Sequence, residues 1–286
     1  MLTLKSPAKV NLFLHVRFKR KDGYHEIHTL FERLSLADEL VFTRARSGIR
    51  LETHAKGLPR GPQNLVYKAA KLLKDKFHVP EGVRIRLRKR IPVGAGLGGG
   101  SSNAAATLLG LNQLWRLGLS RKTLLGMAAG LGSDVPFFIL ETPFAVGSGR
   151  GEILKKMGAP SLKIWHCVVK PPLSISTKEA YLNLRASRLT PKKANAKMLL
   201  RSFQEGNASR FSQLLQNSLE TALNKRVTTI LEIKKKLLSQ GALGSLMSGS
   251  GSAVFGIFKS RRKARKAARF LRKADKRWQV FVASTI

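Results

Sequence analysis

Ile91-Pro92-Val93-Gly94-Ala95-Gly96-Leu97-Gly98-Gly99-Gly100-Ser101-Ser102-Asn103-Ala104-Ala105-Ala106 places five glycines in the seven positions 94–100. Glycine at that density costs backbone entropy on folding. It is retained where the main chain must approach something closely or take positive φ. An alternating strand pattern, residues 83–87, precedes the run, and a helical pattern, residues 101–115, follows it. A glycine-rich turn that opens a helix stacks backbone N–H groups at the positive helix end, which makes an anion cradle. Ser101 and Ser102 add hydroxyl donors, and polyphosphate is the natural occupant.

The run fits none of the best-known phosphate loops. Gly94, Gly96 and Gly99 match G-x-G-x-x-G, but that pattern needs an acid about 20 residues on for the ribose. Residues 82–133 hold no Asp or Glu. A P-loop needs Lys-Ser/Thr after its last glycine, and here Gly100 is followed by Ser101. The H-R-D and D-F-G signatures of protein kinases are absent as well.

The first acid after this gap is Asp134, in Gly132-Ser133-Asp134-Val135-Pro136-Phe137-Phe138. Ser133 is expected to cap a short helix with Asp134 and Pro136 in its first turn. A carboxylate there can accept a hydroxyl proton; position alone also admits a purely capping role. Lys9 and Asn11, in Ser6-Pro7-Ala8-Lys9-Val10-Asn11-Leu12, share one strand face. They read equally as ordinary solvent-facing residues. No Ser/His/Asp hydrolase motif and no Cys/His zinc cluster is present, and His25 and His28 lack further ligands. No protein-held metal is therefore expected; a metal would arrive with the nucleotide.

The 286 residues suffice for one large or two medium domains. A lone Cys167 in an apolar strand pattern, no 18-residue apolar run and no signal-peptide pattern lead to the expectation of a cytoplasmic protein. Lys and Arg number 53 against 16 Asp and Glu, a formal charge of +37. Such a field attracts phosphates, nucleic acid and acidic lipid alike. It is densest over residues 259–277, with eleven Lys/Arg and one acid, Asp275. Ala264, Ala267, Ala268 and Leu271 give that stretch a helical apolar stripe. Both a solvated helix face and a nucleic-acid or membrane patch fit it.

Strands are expected over 9–19, 25–34, 39–46, 49–54, 83–87, 163–169, 252–258 and 280–283. Helices are expected over 65–77, 101–115, 121–130, 177–184, 194–203, 219–238 and the basic stretch, with a Gly/Ser turn before residue 252. Strands and helices mix without regular alternation, which indicates α+β and two domains sharing a cleft. The division falls near residues 155–162 and is placed at 1–158 and 159–286.

In this combination the chain resembles the galactokinase, homoserine kinase, mevalonate kinase and phosphomevalonate kinase (GHMP) superfamily. The motifs that carry the resemblance are Pro7-Ala8-Lys9-Val10-Asn11, the run from Pro92 to Ser102, and Leu243-Gly244-Ser245-Leu246-Met247-Ser248-Gly249-Ser250-Gly251-Ser252. Lys21-Asp22-Gly23-Tyr24-His25, the Gly99-Gly100-Ser101-Ser102-Asn103 form of the loop, and Gly132-Ser133-Asp134-Val135-Pro136-Phe137 narrow it to a branch acting on a cytidyl diphosphate sugar alcohol. The resemblance implies a ribosomal-protein-like N-terminal domain and a ferredoxin-like C-terminal domain. It implies ATP as co-substrate with Mg²⁺, and a role in making isoprenoid precursors. Asp134 would be the base, and Lys9 would orient it and offset developing charge. Pro92, Val93, Gly94, Ala95, Gly96, Leu97, Gly98, Gly99, Gly100, Ser101 and Ser102 would hold ATP. Asn64, Leu65 and Lys89 would lie near its adenine. Asn11 would bind the sugar alcohol. Tyr24, His25, Thr177 and Tyr181 would bind the remainder of the substrate, the aromatic rings on the cytosine. Residues 249–252 would close over the site. Neither an obligate protein partner nor a membrane is implied; nucleic-acid contact through residues 259–277 is left open. Two rivals remain: another kinase of the superfamily, which Tyr24 and His25 disfavour, and a basic nucleic-acid-binding protein on a related fold, which has no need of Asp134 or the glycine motifs.

Overall fold

The computed structural model describes residues 1–158, 163–184, 195–222 and 227–286. It contains two compact units that are not separated by a single cut in sequence. One comprises Met1–Ala8, Ala37–Val93 and Gly98–Thr142; the other Lys9–Leu36, Gly94–Leu97 and Pro143–Ile286. Strands β1 (Leu2–Lys19) and β2 (His25–Ala45) contribute to both.

In the first unit β4 (Gly82–Arg88) runs antiparallel to residues 39–45 of β2, and β3 (Ile49–Thr53) runs parallel to β4. β4 shows why a period of two marks a half-buried strand. Val83, Ile85 and Leu87 are buried while Arg84, Arg86 and Arg88 face water. Four helices follow: α1 (Leu65–Lys76), α2 (Gly99–Leu114), α3 (Arg121–Leu131) and α4 (Val135–Leu140). α1 buries Val66, Ala69, Ala70 and Leu73 along one stripe. α2 comes close to β2 at Gly110, where a Cβ would meet the Phe42 ring at 2.7 Å.

In the second unit residues 13 and 14 of β1 pair with β8 (Gln216–Asn217), and β2 pairs with β5 (Phe144–Ser148), itself paired with β6 (Ile153–Met157). A second sheet holds β7 (Trp165–Lys170), β9 (Gly244–Met247), β10 (Val254–Phe258) and β11 (Gln279–Ser284). Its order is β11-β7-β10-β9, antiparallel throughout. With α8 (Val227–Ser239) after β7 and α9 (Arg261–Ala274) after β10, this is the ferredoxin-like β-α-β-β-α-β order. Helices α5 (Thr177–Leu182), α6 (Ala196–Gln204) and α7 (Ala208–Leu214) are inserted between β7 and α8. Cys167, Val169, Ile233, Leu237, Phe258 and Leu271 belong to its core. Among the described residues no helix is long and apolar enough to cross a membrane.

Several elements depart from expectation. β2 is one strand and not two, because residues 25–45 contain no Gly or Pro to break it. β5, β6, α7 and β9 arise where no element or only a turn was expected. β9 opens on a glycine because Leu215 presses on Gly244, where a Cβ would lie 2.4 Å from the Leu215 Cδ1. Asp134, not Ser133, occupies the N-cap position of α4. Position 194, positions 223–226 of the expected helix 219–238, and residues 159–162 around the expected division lie outside the described residues.

Candidate active site

The glycine run begins with residues in left-handed backbone: φ is 64° at Gly94, 73° at Gly96 and 67° at Gly98. Helices α1, α3, α6, α7 and α9 are capped by the side chains of Asn64, Ser120, Asn195, Asn207 and Ser260. α2 begins at Gly98 with no side-chain cap and no acid in its first turn. The helix geometry leaves its first amides without intrahelical acceptors, which suits them to an anion.

Below this helix start lies a buried polar cluster of the first unit. Ser6 Oγ donates to Ser102 Oγ at 2.9 Å, and Asn103 Nδ2 donates to Ser6 Oγ at 2.7 Å. Asp38, wholly buried, binds Lys89 Nζ through Oδ2 and also accepts from Asn103 Nδ2 at 2.9 Å. Its Oδ1 accepts from the amides of Arg90 and Ile91 at 2.7 and 2.8 Å. A Cβ on Gly99 would sit 3.1 Å from Lys89 Nζ, and one on Gly100 3.7 Å from Leu65 Cδ1. Lys89 and Leu65 are therefore placed at the helix start, while Asn64 is occupied in holding α1, accepting from Val66 N and donating to Pro59 O. Ser102 is tied into the buried cluster and Ser101 is half-buried. Asp134, also half-buried, makes no capping hydrogen bond through its side chain. A cleft of about 760 Å³ between α1 and α3 contains none of the expected site residues.

Sequence reasoning missed Asp38 and Ser6. The signal for Asp38 was its phase: it shares the inward face of β2 with Leu40 and Phe42.

In the second unit Lys9 and Asn11 are buried rather than solvent-facing, at 3% and 1% exposure. Lys9 Nζ donates to Asn11 Oδ1 at 2.7 Å, Asn11 Nδ2 to Thr29 Oγ1 at 2.8 Å, and Thr29 Oγ1 to Phe13 O at 2.7 Å. The relay fixes which way the Asn11 amide points. Residues 248–252 converge on the same place. A Cβ on Gly249 would meet Lys9 Nζ at 3.3 Å, and one on Gly96 would overlap Ser248 O at 2.1 Å. Ser248 Oγ donates to Gly96 O, and Ala253 N to Ala95 O. Asn217 and Glu220, also missed from sequence, hold this turn through Met247 and Gly249. Thr177 Oγ1 and Ser250 Oγ lie 2.9 Å apart.

The Asp22–His25 turn is braced by Asp22, which accepts from Tyr24 N, and by Arg20, which bonds Asp22 and Glu26. Tyr24 is exposed, with the Arg150 guanidinium 4.8 Å over its ring. His25 stacks directly on Tyr181, centroids 5.2 Å apart. Burial, and secondarily Lys19, hold the His25 pKa below its ordinary value. Arg150 had no signal in sequence, since its role depends on the β5–β6 turn.

The model of the GHMP kinases N terminal domain matches residues 64–142, and that of GHMP kinases C terminal matches 199–277. A 4-diphosphocytidyl-2-C-methyl-D-erythritol kinase of Alkaliphilus oremlandii is 44% identical over 265 residues, 92% of this chain and 90% of the relative. One of Pelotomaculum thermopropionicum is 43% identical over 286 residues, 100% of this chain and 98% of the relative. A crystal structure of 4-(cytidine 5'-diphospho)-2C-methyl-D-erythritol kinase superposes over 100% of both chains, with a TM-score of 0.87 and 38% identity. The uncapped glycine-led helix and the Lys9–Asn11 pair thus sit in the fold of known small-molecule kinases, and the chain belongs to the GHMP kinase family.

Proposed function

We propose that this chain transfers the γ-phosphate of ATP to the 2-hydroxyl of 4-diphosphocytidyl-2-C-methyl-D-erythritol, in the non-mevalonate route to isoprenoid precursors. The observation that carries the reading is the 43% identity, over all 286 residues, to a kinase of that name. The division at 158/159 belongs to the same proposal, since the two family models fall on either side of it. So does a cytoplasmic location, with which a buried free thiol at Cys167 is compatible.

The uncapped start of α2 suits the phosphates of a nucleotide, and Mg²⁺ commonly binds through such phosphates and one or two carboxylates. ATP would supply the transferred phosphoryl group, and a nucleotide-borne Mg²⁺ would offset charge on the phosphates. The amides at the start of α2 and the Ser101 hydroxyl bind the phosphates, with Asp38 and Lys89 holding the helix start in place. Asp134 takes the hydroxyl proton. Lys9, oriented by Asn11, offsets negative charge that grows in the transition state. Lys9→Ala is expected to lower kcat about 10²–10³-fold. Steady-state turnover checks this, and a near-normal rate removes Lys9 from the mechanism.

His25, Tyr181, Tyr24 and Thr177 bind the cytidyl end. A neutral His25 suits an uncharged base. As the pH falls below 6.5, the ordinary histidine value, the unfolded chain takes the proton before the folded one. Stability contributed by the neutral ring is therefore complete above that value and lost as the pH drops through the depressed one. We expect KM for the cytidyl substrate to be flat above neutrality and to rise in the same acid window. A His25→Gln variant should abolish that rise, and a KM profile unchanged by the substitution would remove His25 from the substrate site.

The decisive assay is ATP consumption with the cytidyl substrate, mevalonate and homoserine offered separately. Turnover with the first alone supports the proposal; turnover with either of the others instead assigns the chain a different substrate within its family.

A further inference from the structure

The basic stretch that sequence left open forms α9, and its charges are sorted. Ala264, Ala267, Ala268 and Leu271 are buried. All five arginines of the helix, Arg261, Arg262, Arg265, Arg269 and Arg272, line one cleft of about 650 Å³ together with Val282 of β11. The three lysines of the helix, Lys263, Lys266 and Lys273, lie outside it. Guanidinium and ammonium are not equivalent. The planar fork of arginine matches phosphate bidentately and is weakly hydrated.

Among the described residues no carboxylate pairs with any of the five, and Asp275, the one acid in the stretch, is taken by Arg277 at 2.8–3.3 Å. From Arg261 to Arg272 the row runs about 16 Å at 1.5 Å per residue, longer than one phosphate or pyrophosphate can span. At its start the Arg261 guanidinium lies 5.7 Å over the half-buried Trp165 ring. A basic groove ending in an aromatic surface is the usual arrangement for single-stranded nucleic acid. A membrane surface would call for apolar side chains between the charges, and the cleft offers only Val282.

We propose that the arginine-lined cleft of α9 binds single-stranded nucleic acid through its phosphates, without sequence preference. The inference is independent of the kinase assignment.

The test is fluorescence anisotropy of a labelled oligouridylate of about 15 nucleotides, titrated with the full chain over a range of KCl concentrations. Arg265→Gln/Arg269→Gln should weaken binding at least about 10-fold and flatten the log K versus log salt slope by about 1.4, at ~0.7 for each phosphate no longer neutralised. Lys263→Gln/Lys266→Gln removes the same charge and should cost less than about 3-fold. Thermal melts of both variants should match the parent, since all four positions are exposed. Equal losses in the two variants would mean diffuse charge without a site and overturn the proposal, as would no binding by the parent. Complete displacement by inorganic triphosphate at matched phosphate concentration would overturn it in favour of a short polyphosphate. Arginine-dependent binding to phosphatidylserine vesicles that competes with the oligonucleotide would overturn it in favour of a membrane surface.

Discussion

Asp134→Asn is expected to lower kcat about 10³-fold while ATP affinity stays within about twofold of the parent. The carboxamide has the shape of the carboxylate but cannot take a proton from the acceptor hydroxyl. General-base catalysis is typically worth about 10²–10⁴-fold, which sets the size of the effect. Asp134 stands at the N-cap position of α4 without a capping hydrogen bond from its side chain, and Asn is as good a residue there as Asp. Turnover in the ATP-consumption assay and calorimetric titration with a non-hydrolysable ATP analogue measure the two quantities. A kcat within about threefold of the parent would end the case for Asp134 as base. A matching fall in melting temperature would make its role structural.

Asp38→Ala should destabilise the fold strongly, by about 3–5 kcal/mol. It removes the partner of a lysine whose side chain is 10% exposed and strands the amides of Arg90 and Ile91, just before the glycine run. For a chain of this size that corresponds to a fall in Tm of about 10 °C. ATP binding should weaken as well, because the same carboxylate anchors Asn103 in the first turns of α2. Asp38→Ala/Lys89→Met should be milder than Asp38→Ala alone, since losing both charges leaves neither buried and unpaired. Thermal denaturation of the two variants decides the matter. If the double variant is as unstable as the single, the ion pair is not what holds the loop.

These residues show what a linear reading could reach. The glycine run, the α1 stripe, the alternation of β4 and the basic helix were legible because each is written within fewer than twenty residues. The α+β class and the GHMP kinase fold followed from them and from the motif order. Lys9 and Asn11 were paired by their spacing on a strand, although their burial was not foreseeable from it. What failed was non-local. Asp38 finds its partners about fifty positions later, too far away in sequence for any local pattern to tie it to the loop. β9 read as a turn because it opens on Gly244, a glycine required by the distant Leu215 rather than by a bend. Ser102, 1% exposed, accepts from the Ser6 hydroxyl 96 positions earlier, a contact no local pattern announces.

Cys167 is the one thiol in 286 residues. Burial pushes its pKa up to about 12, against a smaller opposing pull from Arg272. Since the thiolate is the nucleophile, maleimides and iodoacetamides at neutral pH will pass it by. A cysteine introduced anywhere on the surface can then carry a spin label or fluorophore at that point alone, with no native sulfur to delete beforehand.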